Sequence, residues 1–152
     1  MGVKVQSEDF DVASEVDALT SGRTDIGAIV TFTGRVRDDD KGRPIKSMTL
    51  EHYPGMTEEE LSRIEADANA RWPLQASLII HRTGELYPGD NIVLVVTASA
   101  HRQAAFEAAG FLMDYLKTRA PFWKKETSPA GESSWVEARE NDETAATRWR
   151  PT

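Results

Sequence analysis

The chain alternates short β-branched, apolar runs with longer amphipathic stretches, and this pattern predicts its elements before any composition is counted. Residues 3–6 read as a first strand, and residues 12–19 as a short helix with Ser7, Asp9 or Asp11 near its start. Ser21-Gly22-Arg23 marks the exit of that helix. Gly27-Ala28-Ile29-Val30-Thr31-Phe32-Thr33 is dense in strand formers and predicts a buried strand running into Gly34-Arg35-Val36-Arg37. Asp38-Asp39-Asp40-Lys41-Gly42-Arg43-Pro44 predicts a solvated loop, and residues 45–53 the next strand.

Pro54-Gly55 turns the chain, and Thr57 followed by Glu60 predicts a capping box for a helix over 58–71, stopped by Pro73. Residues 76–82 and 92–98 read as an antiparallel pair of strands joined through the turn Tyr87-Pro88-Gly89-Asp90. Ser99 is the expected cap of a second long helix, in which Phe106, Gly110, Met113 and Lys117 form one stripe, ended by Pro121. A last strand is expected at 134–138. Strands and helices mixed without βαβ alternation predict an α+β fold with a mixed, largely antiparallel sheet. No glycine-rich phosphate loop is present.

With 152 residues, the chain is long enough for one domain that buries about 70% of its unfolded surface. We assign 1–140 to that domain and 141–152 to a polar tail, whose Trp149 and Arg150 either fray or cover part of a pocket. No apolar run is long enough to span a bilayer, and no basic, apolar leader follows Met1, so a cytoplasmic protein is expected. The complete absence of cysteine excludes disulfides, a thiol nucleophile and thiolate metal sites, so any sulfur handled here must arrive on another molecule. A net charge of −7 argues against nucleic acid as a partner and makes any local gathering of cations informative.

That gathering occurs at Lys117-Thr118-Arg119-Ala120-Pro121-Phe122-Trp123-Lys124-Lys125-Glu126, which holds four cations interleaved with Phe122 and Trp123. Something anionic and partly flat suits such a segment. Lys117, continuing an apolar stripe, is a candidate base or nucleophile if partly desolvated. The plainer reading is a lysine that complements the helix dipole and reaches to water. Lys124 and Lys125 are either point charges for a phosphate or a solvated run. His101 and Arg102 open the long helix, where free backbone N–H groups already favour an anion. Arg35 and Arg37 alternate on a strand and so share a face, as an anion clamp or as exposed edge residues. His52 and His81 have no partner at metal-ligand spacing and read as structural; no metal site and no cofactor is expected.

Five segments in order carry a resemblance: Phe32-Thr33-Gly34-Arg35-Val36-Arg37, Leu50-Glu51-His52-Tyr53-Pro54-Gly55-Met56, His81-Arg82-Thr83-Gly84-Glu85-Leu86, Ser99-Ala100-His101-Arg102, and residues 113–126 from Met113 to Glu126. Together, from about Val3 to Arg139, the chain resembles the large, catalytic subunit of molybdopterin synthase. The resemblance implies an α/β-hammerhead-like fold and a sulfurtransferase of molybdenum cofactor biosynthesis. Its substrate would be cyclic pyranopterin monophosphate, which gains two sulfurs to become the molybdopterin dithiolene. The sulfur donor would be a small ubiquitin-like sulfur-carrier subunit with a C-terminal glycine thiocarboxylate. The assembly implied is a homodimer within a heterotetramer, with residues of both protomers building each pocket.

By the same resemblance, Lys117 is the essential lysine beside the inserted tail and Lys124 the second lysine needed for full activity. Arg35, Val36, Arg37, His101, Arg102, Lys124, Lys125 and Glu126 match pterin and phosphate contacts, and Arg139 matches a position near the anion site. Two other readings of the same residues remain open: a dimeric module that only binds a phosphorylated metabolite, and a Schiff-base enzyme acting through Lys117 without a protein partner.

Overall fold

The computed structural model describes residues 2–136 and 140–149. Its elements in chain order are β1 (Gly2–Gln6), α1 (Val12–Thr20), β2 (Ala28–Arg35), β3 (Asp39–Asp40), β4 (Arg43–Pro44), β5 (Ser47–His52), α2 (Met56–Arg71), β6 (Leu74–Arg82), β7 (Gly84–Leu86), β8 (Asn91–Ser99), α3 (Arg102–Thr118), β9 (Phe122–Thr127), β10 (Ser133–Val136) and α4 (Glu140–Thr147). The architecture is α+β, as the sequence predicts.

The main sheet runs β1-β6-β8-β2; β1 is parallel to β6 and the other pairs are antiparallel. Its central strands are apolar on both faces because both faces are covered. Leu78, Ile80, Leu94 and Val96 point toward α1 and Phe10, while Ile79, Val93 and Val95 point toward α2 and α3, where they meet Leu61, Ile64, Phe111 and Leu112. The period-2 alternation of a strand thus sorts one continuous hydrophobic run into two cores.

A second, antiparallel sheet, β10-β9-β5-β7, closes over a third cluster of Val36, Met48, Leu50 and Leu86. The chain leaves the main sheet for this one at Gly84, whose φ of +89° only glycine adopts without strain. The expected link between 76–82 and 92–98 is therefore more than a turn, since it lends β7 to the second sheet.

Several local expectations are corrected. The loop at 38–44 contains a small hairpin, β3–β4, whose tight turn places Lys41 at φ 53° and Gly42 at φ 82°. The helix starts two residues earlier than a Thr57–Glu60 capping box would place it, with half of such a box: the Gly55 N–H donates to the Glu58 carboxylate, and Gly55 has no side chain to return the bond. Thr57 is instead buried inside α2, accepting from the Tyr53 N–H and donating to the Pro121 carbonyl. Ser99 ends β8 and donates to the Pro73 carbonyl, leaving His101 as the N-cap residue of α3. The buried face of α3 is Ala105, Ala108, Phe111, Leu112, Tyr115 and Leu116, while Phe106 is 62% exposed. The stripe from Phe106 to Lys117 thus borders the core and does not fill it. Where a polar tail was expected, α4 packs on α3, with Ala146 buried and Trp149 against the main core.

Candidate functional site

The two sheets diverge beside the C-terminal end of α3, and the gap between them is a cavity of about 340 Å³. That volume lies within the range of small-molecule sites. Arg35 and Arg37 reach it from the end of β2, Lys117 from the last turn of α3, and Lys124 and Glu126 from one face of β9. Val36, Met48, Leu50, Ile92, Leu116 and Phe122 supply apolar walls. Four cations against two carboxylates, Asp40 and Glu126, give this cavity a positive balance inside a chain of net charge −7. An anionic ligand with a flat, partly apolar body suits it.

Local geometry explains why these side chains converge. A register shift between Gly34 and Arg35 turns the end of β2, where the Val36 N–H donates to the Asp90 carbonyl and the Gly89 N–H donates to the Val36 carbonyl. Arg35 is held at that corner by two bonds to the Gly89 carbonyl, at 3.2 and 2.8 Å. This engages two of its five N–H donors. Arg37 sits 3.9 Å from Asp40; the guanidinium is exposed while the carboxylate is buried. On β9, period-2 alternation sends Lys124 and Glu126 into the cavity and Lys125 away from it. The Lys125 ammonium lies 5.7 Å from the centre of the Trp135 ring instead.

A second chamber of about 360 Å³ adjoins the first. It is lined by Phe32, Thr33, Gly34, Val93 and Met113 together with Arg35, His81, Ile92, Leu116 and Lys117, and these last five also line the first cavity. Lys117 therefore stands where the two chambers meet. It is an exposed residue whose accessible surface faces these chambers, so the partly desolvated lysine of the sequence reading is not what forms.

Not every expected site residue joins this group within one chain. His101 and Arg102 sit at the opposite end of α3, about 24 Å from Lys117 along the helix axis. There they border a separate surface hollow with Gln103, Phe106 and Glu107. Lys125 is on the outer face of β9, and Arg139 lies outside the described residues.

Two residues that sequence reasoning set aside belong to the cavity. His81, read as structural, forms part of the wall of both chambers, and its ring stacks on Phe122 with centroids 3.8 Å apart and planes 18° apart. Burial pushes its pKa down to about 4, helped by the nearby positive charges of Lys117 and His52 and opposed by a bond to the Arg82 carbonyl. The imidazole is therefore neutral at pH 7. Asp40 comes from the β3–β4 hairpin, in the segment whose composition predicts a loop. The available signal for His81 was its place at the end of a buried strand, where side chains pass from core to cleft.

Comparison with known proteins gives consistent matches. The family model described as MoaE protein matches residues 5–119. A molybdopterin synthase catalytic subunit from Mesorhizobium japonicum is 60% identical over 149 residues, 97% of this chain and 92% of that protein. The solved structure of a molybdopterin biosynthesis MoaE protein from Burkholderia ambifaria superposes with a TM-score of 0.83 at 49% identity, covering 97% of each chain. A further likeness, of fold alone at 20% identity, is to a chain in the protein–protein complex of subunits 1 and 2 of molybdopterin-converting factor from Helicobacter pylori. Its TM-score is 0.71, covering 91% of this chain and 90% of that one. With its N-terminal three-quarters matched by the family model and near-full-length relatives at this identity, the chain belongs to the MoaE protein family, whose relatives are named molybdopterin synthase catalytic subunits.

Proposed function

We propose that this chain transfers sulfur from the C-terminal glycine thiocarboxylate of a small ubiquitin-like subunit to cyclic pyranopterin monophosphate, forming the molybdopterin dithiolene. The observation that carries this reading is the position of Lys117 at the junction of two chambers. One chamber, with Arg35, Arg37 and Lys124, suits a phosphate-bearing heterocycle. The other, walled by Phe32, Gly34 and Met113 with Arg35 and Lys117, suits an extended peptide end whose anionic thiocarboxylate reaches Lys117. The absence of cysteine fits a catalyst whose sulfur is delivered by a partner.

In this reading the chain supplies charge and proton transfer. As water adds to the acyl carbon and the C–S bond breaks, sulfur stays on the pterin and the small subunit's glycine leaves as a carboxylate; an amine already placed at that point stabilises the negative charge developing on oxygen and sulfur. Lys117 takes this role, and Lys124 compensates charge on the pterin side and relays protons. Arg35 and Arg37 hold the phosphate. His101 and Arg102 serve the site of a second copy of the chain, which explains their distance from Lys117 within one protomer. The working assembly is then a homodimer carrying two small subunits, and it acts in the cytoplasm.

The test is direct. The purified chain is mixed with a thiocarboxylated ubiquitin-like subunit and cyclic pyranopterin monophosphate, and product is followed by mass spectrometry. Gain of two sulfur atoms by the pterin, lost on Lys117→Ala, is expected; no mass change with the intact chain overturns the reading.

A further inference from the structure

The ring nitrogens of His81 do different things. Nδ1 lies 2.9 Å from the Arg82 carbonyl oxygen, which has no hydrogen to give, so Nδ1 carries the proton and donates it. In the neutral ring Nε2 then holds a bare lone pair. Among the described residues no other hydrogen bond to the ring is formed, which leaves Nε2 open to a mobile donor. Among the described residues the one buried side-chain nitrogen or oxygen without a partner is Oε1 of Gln75, so Nε2 of His81 is not sealed in the core. The accessible space beside this ring is the pair of chambers it helps to wall, and Lys117 lines both of them.

The ring cannot turn away from that space. Phe122 covers one face at stacking distance, and the bond from Nδ1 fixes rotation about the ring axis. β6 holds the backbone between β1 and β8, through the register pairs Val5 with His81 and His81 with Val93. A rigid, oriented acceptor has thus been placed beside a flexible amine.

We infer that His81 is a positioning residue for the transfer reaction: its Nε2 accepts a hydrogen bond from the Lys117 amine and holds that amine at the junction of the two chambers. This rests on the reading of Lys117 as the amine at the point of transfer. The chemistry of the acceptor matters. A carboxylate here would cancel the charge that Lys117 offers to the developing anion, whereas a neutral imidazole directs the amine and leaves its charge intact.

Two variants separate the acceptor from the ring. His81→Phe keeps an aromatic face for Phe122 but removes the lone pair; His81→Gln gives up the ring but presents an oxygen near the Nε2 position. Sulfur transfer by the complete enzyme is measured as kcat and KM for the thiocarboxylated subunit. Alongside, acetic anhydride labelling of Lys117 is followed by peptide mass spectrometry, with the other lysines as internal reference. His81→Phe is expected to lower kcat by roughly tenfold at unchanged KM and to raise Lys117 labelling by roughly tenfold, the low end of the scale for one lost hydrogen bond to an ionised group. His81→Gln is expected to recover both to within about threefold, since it restores the acceptor. Unchanged rate and labelling in His81→Phe, or a His81→Gln variant as impaired as His81→Phe, overturns the inference. Absence of sulfur transfer in the unmodified chain overturns the proposed function instead, and the labelling still decides whether His81 holds Lys117.

Discussion

Trp149 donates its indole N–H to the Asp114 carboxylate at 2.6 Å, tying the turn after α4 to the C-terminal part of α3. Arg148 reaches the same oxygen at 2.8 Å. The Trp149 ring meets Phe111 and Trp72 edge-on, at 5.7 and 5.5 Å. The C-terminal segment is therefore part of the core against which α3 is set, and α3 presents Lys117.

Trp149→Ala is predicted to destabilise the fold by about 3 kcal/mol, the low end for removing a large aromatic from a core because this ring is only half-buried. Trp149→Phe keeps most of the packing and loses the bond to Asp114, costing about 1 kcal/mol. Urea unfolding of the two variants checks the order and the gap between them.

Much of this fold was legible because burial and strand alternation speak through the same residues. Leu78, Ile79 and Ile80, with Val93 to Val96, can only be a strand covered on both sides. What escaped the sequence depended on distant partners. β7 exists because Gly84 bends the chain toward β5, far away in sequence. α4 is stabilised by Phe111 and Asp114 more than by its own weakly patterned residues. For the site, the cations Arg35, Arg37, Lys117 and Lys124 singled out in the sequence line one cavity. Strand phase then removed Lys125, and helix length removed His101 and Arg102 from the same chain's cavity. A histidine between apolar strand residues looks the same on paper whether its ring is sealed in or walls a cleft.

The role given to Lys117 predicts different outcomes for two substitutions. Lys117→Ala should lower sulfur transfer by at least about 100-fold, as expected when a positioned proton-transfer group is removed. Lys117→Arg should fail almost as badly, because guanidinium keeps the charge but does not exchange a proton near neutral pH. Lys124→Ala should leave a measurable residual rate. Unchanged circular dichroism of each variant confirms that the loss lies in the chemistry, since Lys117 ends a helix and fills no core position.

The separation of Arg102 from Lys117 predicts complementation. Arg102→Ala and Lys117→Ala chains, each inactive alone, should regain activity when unfolded together and refolded as mixed dimers. Random pairing in a symmetric dimer makes half of the dimers mixed, each with one intact site, so about a quarter of normal activity should return. No recovery would place Arg102 outside the partner's site.

Thr57, itself fully buried, links the start of α2 to the entrance of β9 through two partly buried bonds. Thr57→Val preserves shape but leaves the Tyr53 N–H and the Pro121 carbonyl without that partner, predicting a loss of about 2 kcal/mol. Thr57→Ser keeps both bonds and should cost less than half as much. Because Pro121 precedes Phe122 and Lys124, Thr57→Val should also weaken substrate binding, visible as a raised KM.

The neutral state of His81 sets a pH dependence of stability whose sign follows from linkage. Its pKa falls from 6.5 in the unfolded chain to about 4 in the folded one. Above pH 6.5 both states are neutral at this ring and the full stability is present. As pH falls from 6.5 toward 4, the unfolded chain binds a proton that the folded chain refuses, so stability declines. The span of that decline is about 3 kcal/mol at most, at 1.36 kcal/mol per unit of pKa difference. Glu65 acts in the opposite sense: burial raises its carboxyl pKa, despite bonds from Ser77 and the Gly2 N–H. It therefore favours the folded state in acid, and its contribution is lost as pH rises through its folded pKa. The overall slope mixes the two, but His81→Phe removes only the histidine contribution. Denaturant midpoints for the unmodified chain and for His81→Phe, taken from pH 7.5 to 4, should show the unmodified chain losing stability relative to His81→Phe as the solution becomes more acidic. A constant gap between them would show that His81 takes up its proton as readily in the folded chain as in the unfolded one.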